Sequence, residues 1–176
     1  MFNAEQISTT MNKKQAADAP PAMWDNPRFR NWIAVARACH LVQQELARQL
    51  KPLDLKTPHL DILVNLARTP GISQQDLARK LFVGRSNMTM LLPQLEKRGF
   101  LRRESDSGDK RILRLHLTAQ GHDIAREAIA IQAAVVDDIM SLSTAEECDL
   151  VGDSMRRIVD HLLDRPTGSE PNEETA

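Results

Sequence analysis

Between Arg85 and Leu95 the sequence places Arg85, Ser86, Asn87, Thr89, Met90 and Gln94 on one side of a predicted helix, and Met88, Leu91, Leu92 and Leu95 on the other. The second set falls at i, i+3, i+4 and i+7, the spacing of a stripe that faces a core. The polar members of the first set are short or forked donors and acceptors gathered in the first turn, as needed to reach base edges in a major groove. Taken alone, such a helix is more often a solvated surface. The residues on either side of it change that balance.

After the helix, residues 100–104 and 110–117 are predicted strands. In the second, Leu113, Leu115 and Leu117 alternate with Ile112, Arg114 and His116 at period two. Between the strands lies the turn cluster SDSGD, with Gly108 available for a positive φ. Arg102, Arg103, Lys110 and Arg111 give the hairpin cationic groups for a nucleic-acid backbone. An arginine at its tip, Arg111, suits a narrow minor groove, with Asp109 placed to orient it. Before the helix, Ser73 is the predicted cap of a shorter helix that begins with Gln74 and Gln75, and Asp76 favours its dipole. Gly84 makes the turn between the two helices, and Gly99 suits a left-handed cap at the end of the second.

The spacing Ser86-x-x-Thr89, Leu95-Glu96-x-x-Gly99, Arg103, Asp109-x-Arg111 and Leu117-Thr118-x-x-Gly121 resembles the MarR family of bacterial transcription regulators. That resemblance implies a mainly α fold with a small two- or three-stranded β-wing: a winged helix-turn-helix with flanking dimerisation helices. It also implies a homodimer on a pseudo-palindromic operator in double-stranded DNA, usually repressing, and usually released by a small, often aromatic, effector. Arg85, Ser86, Asn87 and Thr89 would then read bases and nearby phosphates, beside Met90 and Gln94. Gln74, Gln75, Arg102, Arg103 and Lys110 would hold the backbone, and Arg111 would enter the minor groove. Pro93 departs from the pattern, since many relatives carry an acidic or polar residue there. It removes an N–H from the helix and predicts a kink, or a carbonyl at Thr89 left to another partner.

The winged module spans about residues 57–117. Asn26-Pro27 is a start signal for a helix over about 27–50, with Phe29, Trp32, Ile33, Ala36, Val42 and Leu46 as its apolar face. Thr57-Pro58 repeats the signal for a helix carrying Leu60, Leu63, Leu66 and Ala67. Helices over about 119–140 and 144–165 follow, the second opened by two overlapping capping-box registers, Ser143 with Glu146 and Thr144 with Glu147. These flanking helices carry more apolar residues than a small winged domain can cover, which favours a two-fold partner. A single domain over residues 23–166 is expected, with a flexible arm over 1–22 and a polar acidic tail over 167–176.

The chain of 176 residues carries a net charge of −1, which by itself speaks against a nucleic-acid partner. Its distribution answers that objection. Residues 68–116 hold eleven Lys and Arg against five Asp and Glu, a net of +6, whereas residues 164–176 hold one against four, a net of −3. Such a basic module is the electrostatic footprint of DNA binding. No run approaches the roughly 20 apolar residues of a membrane span, so no membrane partner and a cytoplasmic location are expected.

No Gly-rich phosphate loop, nucleophile elbow, HExxH or CxxC element is present, so neither an enzyme nor a cofactor or metal is expected. Cys39 and Cys148 have no metal-ligand spacing. Cys39 lies one turn after Ala36 and reads as a small buried hydrophobe. In some members of the family, paired cysteines make a thiol redox switch, so the resemblance makes these two redox candidates. It likewise places His40 and His59 beside the effector pocket, with Trp32 and Trp24 as further lining candidates. Two other readings stand beside the ligand-released repressor: a redox-responsive regulator, and a winged helix used for protein contacts without reading DNA.

Overall fold

The computed structural model describes residues 26–165. The predicted arm, Trp24 and the predicted acidic tail lie outside the described residues. The described residues divide into two compact units, one ending at Pro58 and one beginning at His59.

In the first unit, α1 (Pro27–Leu50) begins as its start signal dictates. The Asn26 side chain accepts from the Arg28 N–H at 2.9 Å, and Pro27 takes the first helical position. A 3-10 turn, Lys51–Leu53, follows, closed by Asp54 at φ 50°. Burial in α1 is confined to Leu46 and Leu50. Of the rest of the predicted apolar face, Phe29, Ile33 and Val42 are half-buried, and Trp32 and Ala36 are exposed. Cys39 is therefore exposed, not buried as its spacing suggested, because it lies in the part of α1 that precedes the buried last turns.

The second unit holds the winged helix. It takes in nearly all of α2 (Thr57–Arg68), then α3 (Gln74–Lys80), α4 (Arg85–Lys97), the antiparallel pair β1 (Leu101–Ser105) and β2 (Leu113–Leu117), α5 (Ala119–Met140) and α6 (Ala145–Leu163). Leu60, Ile62, Leu63 and Leu66 of α2, Leu77 of α3, Met88, Leu92 and Leu95 of α4, and Leu101 and Leu115 of the strands are all buried. The α4 stripe read from the sequence is thus a core stripe, apart from half-buried Leu91. The sheet has two strands. Beside it lies one isolated bridge, Ser73 to Arg114, with Gly71 and Ile72 exchanging backbone hydrogen bonds with Leu115 at 2.9 and 3.1 Å.

Two turns differ from the sequence reading. Gly84 has φ −63°; the left-handed residue between α3 and α4 is Phe82, at φ 53°. In the hairpin, Gly108 is not left-handed and β2 starts at Leu113, later than predicted. The reason is the Asp106 carboxylate, which accepts from the Gly108 and Asp109 N–H groups at 2.9 and 3.1 Å. That side chain, with Asp109, folds residues 110–112 into the turn.

At the far end of the hairpin, Thr118 caps α5. Its Oγ1 accepts from Gly121 N–H at 2.9 Å and donates to the Gly99 carbonyl at 2.5 Å. A β-carbon on Gly121 would sit 1.8 Å from the Phe100 carbonyl oxygen, so only glycine lets α5 approach so closely. α5 and α6 turn through 111° at their junction. Of the two capping registers, Thr144 with Glu147 is the one formed. Ala125, Ala128 and Val135 of α5 are buried, whereas α6 buries none of its residues and leaves Leu150, Val151, Ile158, Val159, Leu162 and Leu163 exposed.

Candidate nucleic-acid interface

Ser86, Asn87, Thr89, Met90 and Gln94 are exposed on α4, whose first residue is Arg85. Burial of Met88, Leu92 and Leu95 fixes the helix about its axis and turns this set outward. The helix N-cap, Gly84, supplies no side-chain hydrogen bond. The helix runs unbroken through Pro93. One residue later, the Gln94 side-chain amide donates to the Met90 carbonyl at 3.0 Å, while its Oε1 meets His59 Nε2 at 3.2 Å. His59 is 4 % exposed. The sequence marked both residues, but not that they meet.

The wing presents Lys110 and Arg111 at the tip of the hairpin, both exposed. The Asp109 carboxylate accepts from the Arg111 backbone N–H at 2.9 Å, so it orients that residue through its main chain. Neither tip side chain forms a hydrogen bond or ion pair with the described residues. Arg102 pairs along its own strand with Glu104 at 2.8 Å. Arg103 is ion-paired with Glu96 near the end of α4, which holds the Glu96 carboxyl below its ordinary value.

Two further residues set the wing, and sequence reasoning missed their roles. Arg114 Nε lies 2.7 Å from Asp106 Oδ2, and its Nη1 donates to the Gly71 carbonyl at 3.3 Å. The Arg114 guanidinium, helped by the two turn N–H groups, pulls the Asp106 carboxyl down to about 2. An acid and a base straddling a hairpin turn is the signal that could have revealed them.

Gln74, Gln75 and Arg111 are brought together along one groove of about 540 Å³, which Arg79, Met88 and Leu113 also line. Gln74 Oε1 is buried there without a hydrogen-bond partner among the described residues. Elsewhere, exposed His40 meets Gln44 at 2.9 Å, and Trp32 is exposed two turns before it on α1. The Cys148 thiol rests 3.8 Å from Met140 Sδ. Among the described residues, no group of three His, Cys, Asp or Glu could hold a metal ion, and no single helix is long and apolar enough to cross a membrane.

A sequence model of the MarR family matches residues 53–112. Transcriptional regulator HosA of Escherichia coli O157:H7 is 33 % identical over 120 residues, covering 68 % of this chain and 89 % of HosA. The chain belongs to the MarR family of transcriptional regulators. This regulator is also 30 % identical over 140 residues to the transcriptional repressor MprA of Escherichia coli K12, covering 76 % of the chain and 77 % of MprA. Its fold matches that of Staphylococcus aureus MepR, solved as a DNA complex, with a TM-score of 0.69 at 20 % identity over 73 % of this chain and 96 % of MepR. Relatives of this kind regulate transcription and are not enzymes, and the same holds for this protein.

Proposed function

We propose that this regulator acts in the cytoplasm as a homodimer that binds a pseudo-palindromic operator, represses from it, and lets go when a small, aromatic or lipophilic effector binds. The observation that carries the reading is the exposed polar first turn of α4 beside a wing-tip Arg111 whose guanidinium is engaged by no described residue. In it, Arg85, Ser86, Asn87 and Thr89 read bases and nearby phosphates, Gln74, Gln75, Arg102, Arg103 and Lys110 hold the backbone, and Arg111 enters the minor groove. The exposed apolar residues of α5 and α6 support a second copy, which would set two copies of α4 about one DNA turn, ~34 Å, apart. The name of MprA supports repression, and the MepR–DNA complex supports the duplex as partner. Trp32, His40 and His59 are the candidates for the effector.

Fluorescence anisotropy on the chain's own upstream DNA and on a scrambled duplex, titrated with salt, tests this. Tight binding to the first, with a specificity ratio that survives moderate salt, is expected. Equal, weak and salt-erased binding to DNA of any sequence would leave a module for protein contacts instead. The exposure of Cys39 favours one variant of the reading, in which a peroxide releases the DNA and Cys39→Ser abolishes the response while Cys148→Ser locates any second thiol.

A further inference from the structure

We propose that Phe82 reads DNA sequence by resting its ring on thymine C5-methyl groups at the edge of the site that α4 occupies. The inference rests on the operator-binding reading above. The Phe82 backbone, at φ 53°, is one that phenylalanine does not favour. α3 ends with the Phe82 N–H bonded to the Arg79 carbonyl and the Val83 N–H bonded to the Ala78 carbonyl, both at 3.1 Å. This paired closure needs a left-handed residue at the position of Phe82, where glycine or asparagine is the usual choice and a β-carbon is strained.

The same chain makes the same closure with glycine elsewhere. At the end of α4, Gly99 bonds to the Glu96 carbonyl at 2.8 Å and Phe100 to the Leu95 carbonyl at 3.0 Å, with Gly99 at φ 74°. Folding therefore explains glycine here, not phenylalanine. A strained side chain can be held by burial, but Phe82 is 70 % exposed. Strain that no packing offsets is found mainly at functional sites.

Position supplies the function. Phe82 precedes by two residues the N-cap of α4, within about 7 Å of chain reach. That end of α4 carries Ser86, Asn87 and Thr89, which are polar. A phenylalanine beside them extends the small apolar surface of the Thr89 methyl and exposed Met90 with a broad ring for the methyl group that distinguishes thymine in the major groove.

The test uses the full-length protein and a duplex it selects from a random pool, with each thymine replaced in turn by deoxyuridine. Phe82→Gly is expected to raise the melting temperature by about 2–4 °C and to weaken binding several-fold. Phe82→Asn, which accepts the same backbone without glycine's freedom in the unfolded chain, checks the sign of the stability change. Phe82→Leu keeps both the strain and an apolar contact and is expected to bind close to the parent. Loss of one methyl is expected to cost the parent about three- to fivefold and the glycine variant nothing. A lower melting temperature in both Phe82→Gly and Phe82→Asn would assign the ring to packing and overturn the proposal. So would a more stable Phe82→Gly with unchanged affinity, or one with an undiminished response to deoxyuridine. If the parent selects no sequence from the pool, the operator reading itself falls, and the role of Phe82 falls with it.

Discussion

His59 Nε2 lies 3.2 Å from Gln94 Oε1, joining the first turn of α2 to the last turn of α4 across 35 positions of sequence. The Gln94 amide nitrogen is committed to the Met90 carbonyl, so its oxygen faces the imidazole and His59 must donate from Nε2. Gln94→Ala is expected to cost about 1 kcal/mol of stability through this pair, while changing operator affinity less than Asn87→Ala. Urea unfolding and DNA titration of the two variants check this, and the reverse order would put Gln94 on the bases.

The Arg111 side chain makes no hydrogen bond or ion pair with the described residues, so its removal should be nearly silent in the fold. Arg111→Ala is expected to leave the melting temperature unchanged, lower the slope of log affinity against log salt by about 1, and flatten any preference for flanks with a narrow minor groove. Unchanged affinity at several salt concentrations would remove Arg111 from the interface.

Asp106 carries an acid-sensitive contribution. Its carboxyl is held at about 2 by Arg114, well below the ordinary value near 3.9 of an unfolded chain. The contribution is therefore present above about pH 4 and is lost as pH falls toward 2. Asp106→Asn should show a shallower loss of stability across that window, measured by urea midpoints, and a more mobile hairpin at neutral pH by amide exchange.

Gly121 is held by the approach of α5 to the Phe100 carbonyl. Gly121→Ala is expected to destabilise by about 1–3 kcal/mol, because a backbone oxygen stands where the methyl would go and cannot rotate away. Thermal unfolding checks the size, and an alanine variant as stable as the parent would contradict the geometry.

Much of this fold was legible because its boundaries are local. Asn26 with Pro27, Ser73, Thr118 and Thr144 cap the helices their sequence signals predicted, since a cap needs only residues two or three positions away. The outward face of α4 followed from the spacing of Met88, Leu92 and Leu95. What escaped depends on distant partners or on a choice between neighbours. The start of β2 was misplaced because the Asp106 side chain decides where the turn ends. The left-handed role at the helix-turn-helix fell to Phe82 although a glycine stood two residues on. The burial of His59, and its partner 35 residues away, had no local signature at all.

The bonds at the two ends of α2 have a mechanical consequence. At its start His59 holds α4, and just past its end Gly71 is tied to the wing, its N–H donating to the Leu115 carbonyl at 2.9 Å and its carbonyl accepting from Arg114 at 3.3 Å. A hairpin of two strands has little rigidity of its own, so its tilt is inherited from that junction. α2 thus works as a common crossbeam for α4 and the wing. Any load that shifts it strains α4 and the wing together, without touching either.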